Sequence, residues 1–338
     1  MLWWVSSITY AREGLARSGT FVWPTKTARY GPPCDGSWLS WSQSVTELGN
    51  GASPAARSAR PPGQNGGMDL GLRDRVYLVT GGSRGLGFAA AQALVADGAR
   101  VVLSARDEAT VAAAATRLAP PPAAADTAAW VAADNADPAT PGRLIAAAKD
   151  RFGRLDGALL SVGGTPTGTV ATTTDQAWRS GFESVFLGAV RLVRTLAAEL
   201  EAESRDGGMA GSMTGTGGAI VLVLASSVRV PLVDLAISNG LFPGLAGVVK
   251  MLADEVGPAG IRINGVLPVR IATDRVRELD ALRGDPDEER ARQSAHIPLR
   301  RYGEAEEFGR AAAFLLSPAA SFITGAMIPV DGGAIRSI

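Results

Sequence analysis

The sequence predicts an α/β fold, a single Rossmann-type doubly wound parallel sheet of about seven strands with helices on both faces. Three observations predict it. From Met68 onward, short β-branched and apolar runs alternate with alanine-rich helical stretches, the pattern of βαβ units. The glycine-rich run Thr80-Gly81-Gly82-Ser83-Arg84-Gly85-Leu86-Gly87 sits between one such strand and one such helix. With 338 residues, 46% of them hydrophobic, the chain can bury one large core.

Residues 1–67 read differently. Trp3, Trp4, Trp23, Trp38 and Trp41 fall here with no sustained period, and residues 49–67 have the Gly, Pro, Ala, Ser and Arg content of a disordered linker. No basic residue precedes the apolar start, and Arg12 and Glu13 interrupt it, unlike a secretory leader. The segment is expected to be an N-terminal extension without fold, consistent with a start codon placed too far upstream; a transit peptide is the weaker alternative. Residues 68–338 are expected to form the single Rossmann-type domain.

Strands are predicted near Arg75–Thr80, Arg100–Ala105, Ala128–Ala133, Gly157–Ser161, Ala219–Ser226, Arg262–Val266 and Met327–Val330, with helices between them. In the first, β-branched and apolar residues suit a buried parallel strand. The glycines that follow let the chain turn tightly, so that a pyrophosphate approaches the amides opening the next helix; an ordinary strand-to-helix turn is the alternative. Residues 176–203 carry Trp178, Phe182, Val185, Phe186, Ala189, Val193, Leu196 and Leu200 at helical spacing, a stripe expected in the core or at a subunit interface. Residues 207–218, rich in glycine, are expected to be a surface loop. Residues 275–296 are expected to form a mobile helical flap over the substrate.

Composition narrows the chemistry. With 33 Lys+Arg against 33 Asp+Glu, no nucleic-acid footprint is evident. No run reaches the roughly 20 apolar residues of a membrane span, so a cytoplasmic protein is expected. The single cysteine, Cys34, excludes an internal disulfide and a cysteine-based metal cluster, and the single histidine, His296, excludes a multi-histidine zinc site. No metal is expected.

Over Met68–Ile338 the chain resembles the short-chain dehydrogenase/reductase family. The carriers are Thr80–Gly87, Asp134-Asn135, Gly163-Gly164, Ser226-Ser227, the run Ile261–Pro268, Ile297–Arg301, Phe322–Gly325 and Val330–Gly333. Among members, it looks most like 3-oxoacyl-[acyl-carrier-protein] reductases. The resemblance implies a nicotinamide dinucleotide held by Gly81, Ser83, Arg84, Gly85, Leu86, Gly87, Arg106, Asp134, Asn135, Gly163 and Thr273. Arg84 and Arg106, with Ala105 where an acid would favour NAD, point to NADP(H) over NAD(H); alternatively, Arg106 pairs with Asp107 or Glu108 at a solvated strand end. Asp134 is expected to accept from the adenine amine or to cap its strand end, and Asn135 to serve the site or a turn. Thr273 is expected to contact the carboxamide or to N-cap a helix. The resemblance also implies a small carbonyl or alcohol substrate and a homodimer or homotetramer.

The family's proton machinery is the departure. The resemblance places Ser238 at the tyrosine position, Phe242 at the lysine position and Val185 near the asparagine position. No tyrosine lies between Trp178 and Arg301. A serine is a far weaker acid than tyrosine, whose ordinary pKa is about 10, so Ser226, Ser227 and Ser238 become the candidate catalytic residues. Capping at the strand end and helix start is their alternative role. Two functions follow: an NADP(H)-dependent oxidoreductase with an altered proton route, or an NADP-binding relative without turnover that acts as a sensor or partner subunit. A nucleotide-sugar or methyl-transfer enzyme on a related fold fits the C-terminal motifs less well.

Overall fold

A computed structural model describes residues 69–119, 124–206 and 217–337. The expected N-terminal extension and most of the glycine-rich loop at 207–218 lie outside them. In chain order the elements are β1 (Val76–Thr80), α1 (Gly85–Ala96), β2 (Arg100–Ala105), α2 (Glu108–Leu118), α3 (Ala124–Thr127), β3 (Ala128–Ala132), α4 (Thr140–Phe152) and β4 (Gly157–Ser161). There follow α5 (Asp175–Gly181), a π-helix (Phe182–Leu187), α6 (Gly188–Asp206), β5 (Ala219–Val223) and α7 (Ala236–Val256). The chain then adds β6 (Arg262–Pro268), α8 (Asp274–Ala281), α9 (Pro286–Ser294), α10 (Ala305–Leu316) and β7 (Met327–Val330).

The strands form one parallel sheet of 7 strands in the order β3-β2-β1-β4-β5-β6-β7. Successive side chains of β1 point to opposite faces, so the strand feeds two cores. Val76 and Leu78 pack with α4, α6 and α7, while Tyr77 and Val79 pack with α1, α2 and α10. Gly309 makes the α1–α10 contact possible: a Cβ there would stand 2.4 Å from the Ala89 carbonyl oxygen.

Two expectations need correction. β5 stops at Val223 rather than Ser226, because after Leu224 bonds to Val266 the chain coils into a 3₁₀ turn over Ser226–Val228. The single helix expected at 176–203 is two helices separated by the π-helix. A wider turn shifts the phase of the apolar stripe: Val185 is buried, whereas Phe182 is 46% exposed and stacks on Phe186 at 5.3 Å. Gly188, next in the chain, presses on the turn after β3, where a Cβ would lie 2.4 Å from the Asn135 carbonyl oxygen. Ala189, Val193, Leu196 and Leu200 are core residues.

By length and composition, the α7 region Ala236–Ala259 could cross a bilayer. Its apolar character is accounted for by Ile237, Leu241, Leu245 and Val249, which are buried in the core.

Candidate functional site

The strand order reverses between β1 and β4, and in open α/β sheets that switch point opens a crevice at the carboxyl ends of the strands. The buried Thr80 ties the two strands together there, its Oγ1 donating to the Ser161 carbonyl at 3.0 Å. Beyond Thr80 the backbone turns through the left-handed region at Gly81 (φ 62) and Gly85 (φ 56). A Cβ on Gly87 would stand 2.4 Å from the Gly81 carbonyl oxygen, and one on Gly82 would stand 2.9 Å from both Leu103 Cδ2 and the Val79 oxygen. Only glycine fits such approaches.

This turn delivers the first amides of α1 to the crevice, with no acidic residue in that turn to oppose an anion. The Gly82 amide donates to the Ser104 carbonyl at 3.0 Å, which sets the loop beside the end of β2. Ser83 and Leu86 are half-buried and Arg84 is exposed. At the exit of β4, Gly163 has positive φ (85) and nothing within 4 Å of a Cβ placed on it. The cradle therefore fits a dinucleotide, with a tight turn for the pyrophosphate and open backbone beside it.

The other expected cofactor residues ring the same crevice. Arg106 is exposed at the end of β2 and forms no ion pair among the described residues; Asp107 instead caps α2 by accepting from the Thr110 amide at 2.8 Å. Asp134 Oδ1 accepts from the Ala136 amide at 3.0 Å, the capping arrangement. Asn135 Nδ2 donates to the Ser161 carbonyl at 3.4 Å, so β3 and β1 both tether the end of β4. Thr273 caps α8, accepting from the Val276 amide at 3.3 Å, while its methyl lies 3.7 Å from where Gly85 would carry a Cβ. Capping and a place beside the phosphate turn therefore coexist in one residue.

The serines separate into distinct surroundings. Ser227 and Ser238 are buried with their hydroxyl oxygens 3.1 Å apart, and Ser227 Oγ also lies 3.3 Å from the Ser238 carbonyl. Ser226, one residue earlier, gives its carbonyl to the Arg229 and Val230 amides, and its hydroxyl has no partner among the described residues. Phe242 and Val185 are both buried in the apolar core. Lys250 donates to the Gly325 carbonyl at 3.3 Å instead of serving the pair.

The sequence reading missed two arrangements. The Asn239 side chain clamps the loop after β5, accepting from the Leu232 amide at 2.8 Å and donating to its carbonyl at 2.7 Å. Arg270, Asp280 and Tyr302 form a buried cluster that fixes α8 to the exit of β6. Arg270 pairs with Asp280 at 2.5 Å and the Tyr302 hydroxyl donates to Asp280 at 3.0 Å, with the Arg290 guanidinium 5.0 Å from the ring centre. Burial pushes the phenol up to about 12; Arg270 opposes that rise and Asp280 adds to it. The expected flap is helical, as α8 and α9, and it is anchored by this cluster.

Taken together, the sheet order and the glycine turn define a Rossmann-type fold with a crevice at its switch point, and the hydroxyl pair lies beyond β5. Comparison with known proteins gives the same class. Residues 81–334 match the family described as "Enoyl-(Acyl carrier protein) reductase". The chain is 35% identical over 269 residues to L-rhamnose 1-dehydrogenase (NAD(P)(+)) of Azotobacter vinelandii, covering 78% of this chain and 97% of that one. It is 29% identical to a 3-oxoacyl-[acyl-carrier-protein] reductase of Vibrio cholerae, covering 78% and 98%. Among solved structures, L-sorbose reductase from Gluconobacter frateurii, complexed with NADPH and L-sorbose, aligns with TM-score 0.71 at 28% identity, covering 80% of this chain and 100% of that one. The chain belongs to the short-chain dehydrogenase/reductase family of oxidoreductases.

Proposed function

We propose that the chain is an NADP(H)-dependent ketone reductase, or the reverse secondary-alcohol dehydrogenase, in which Ser227 and Ser238 hold the substrate oxygen where relatives use a phenol. The buried hydroxyl pair carries this reading. Each hydroxyl has one hydrogen. Ser227 Oγ donates to the Ser238 carbonyl, so the hydrogen between the two hydroxyls is the one on Ser238, held by an oxygen only 3.1 Å away. A substrate carbonyl oxygen is a suitable alternative acceptor, toward which the Ser238 hydroxyl turns while Ser227 stays tied to the backbone.

The bound cofactor supplies or accepts the hydride. The protein's part is to hold the carbonyl in register and to stabilise charge on its oxygen. Neither serine is acidic enough to be a strong general acid, so the final proton is expected to come from water passed along the pair. Preference for NADP(H) rests on Arg84 and Arg106, two exposed guanidinium groups on adjoining loops, together with Ala105 in place of an acid. The named relatives include proteins described with NAD(P)+ and with NADPH, which agrees with a nicotinamide cofactor. Association as a dimer or tetramer is supported by Phe182 and Met251, exposed at 46% and 63% on the π-helix and α7.

A second reading has its own observation: Phe242 and Val185 are buried apolar core residues that supply no charge or hydrogen bond, as suits a cofactor-binding sensor or partner subunit. Fluorescence titration with NADPH and NADH, followed by oxidation assays on ketoses, cyclic ketones and 3-oxoacyl thioesters, separates the two. Tight NADPH binding with oxidation by one class supports the reductase. Binding without any oxidation replaces it with the sensor, and no binding rejects both.

A further inference from the structure

The segment between β6 and α8 crosses the crevice. At one end the Thr273 methyl lies 3.7 Å from the Cβ position of Gly85, beside the turn that would hold pyrophosphate. Two residues on, Arg275 reaches the loop after β4: its Nη2 donates to the carbonyl of the buried Thr165 at 3.0 Å. Its Nε lies 3.2 Å from where Gly164 would carry a Cβ, so the missing side chain makes room for the guanidinium. A dinucleotide running from the α1 amides toward the open backbone of Gly163 would pass under this crossing with its nicotinamide half. The adenine half would lie toward β2, away from it.

We infer that Arg275 is a latch, a positioning residue that fastens the β6–α8 segment over the nicotinamide half of the cofactor and must let go before the cofactor leaves. The inference rests on the cofactor reading above. The fastening is a single guanidinium–carbonyl hydrogen bond on a side chain 44% exposed, with only a 3.5 Å contact to Glu278 besides, so it can open without disturbing the core. Such a bond is worth about a tenfold change in release rate, at the lower end for charged donors.

The test measures release of NADPH and of adenosine 2′,5′-bisphosphate from the full chain by stopped-flow displacement. In Arg275→Ala, NADPH should leave about tenfold faster while the adenine fragment leaves at the wild-type rate. Gly164→Ala, which keeps the arginine but crowds its Nε, should give a smaller change in the same direction. Arg277→Ala, which removes an exposed side chain on the same helix as Arg275, paired at 3.6 Å with Asp287 of α9, should change neither. A merely structural role for Arg275 would move both probes alike. Equal effects on the two probes, or no effect on NADPH in a wild type that binds it, overturn the latch alone. A wild type that binds neither probe overturns the cofactor reading and the latch with it.

Discussion

Ser227 and Ser226 are neighbours in sequence, but the 3₁₀ turn between β5 and α7 aims only Ser227 at Ser238. Ser238→Ala removes the hydroxyl that can turn from Ser227 to a substrate oxygen. It should lower kcat/KM roughly 10- to 100-fold, toward the lower range for losing a donor at a developing oxyanion, with NADPH affinity unchanged. Ser226→Ala should leave steady-state kinetics near wild type; equal losses in the two variants would remove Ser227 and Ser238 from the mechanism. The arginines separate in the same way. Arg84→Ala and Arg106→Ala should each weaken NADPH about tenfold or more and leave NADH nearly unaffected, since only NADPH carries the 2′-phosphate. Calorimetric titration with both dinucleotides reads this directly, and parallel losses for the two would show that neither side chain selects the phosphate.

At the scale of elements, α1 is held at two points. Its start is the glycine turn, and its middle lies against α10 at a backbone contact that only Gly309 permits. Gly309→Ala would place a methyl 2.4 Å from the Ala89 oxygen, and because backbone is in the way the helices must separate. Overpacking of this kind costs about 1–3 kcal/mol, a fall in melting temperature of roughly 5 °C. NADPH affinity should fall with it, because α1 carries the phosphate turn; an unchanged melting curve would mean that the contact is slack. The tight glycine turn and the strand cores were legible in the sequence because glycine geometry and runs of β-branched residues are local requirements. The π-helix was not, since its stripe has helical spacing on either side and only the fit of Gly188 over Asn135 reveals the extra residue per turn. Nor was the latch, whose Arg275 and Thr165 lie far apart in the chain and meet only through the fold.

On the scale of the whole molecule, the C-terminal segments that close the site are fastened by ionisable groups, so their hold depends on pH. Glu307 anchors the start of α10, paired with Arg301 through two oxygens at 2.7 Å and accepting from the Glu304 amide at 2.8 Å. The Arg301 hydrogen bonds, then the Glu304 amide, hold its carboxyl down to about 2. Between that value and the unfolded value near 4.5 the unfolded chain binds more protons, so stability rises with pH across this window and is complete above it. Tyr302 has the opposite sign. Its folded pKa, pushed up to about 12 from an unfolded 10.0, means that its contribution is full below pH 10 and is lost as pH rises through the folded value. Tyr77, also raised by burial, adds to the alkaline fall of the wild type, so the difference between wild type and Tyr302→Phe isolates the cluster with Asp280 and Arg270. Melting temperature against pH should therefore be a plateau with two shoulders. Arg301→Ala should flatten the acid one and Tyr302→Phe should make the alkaline one shallower, leaving the part that Tyr77 contributes, and each leaves the other shoulder in place. If Tyr302→Phe falls as steeply above pH 10 as the wild type, the buried phenol does not hold α8 against the exit of β6, and the segment that carries Arg275 must be fixed by other contacts.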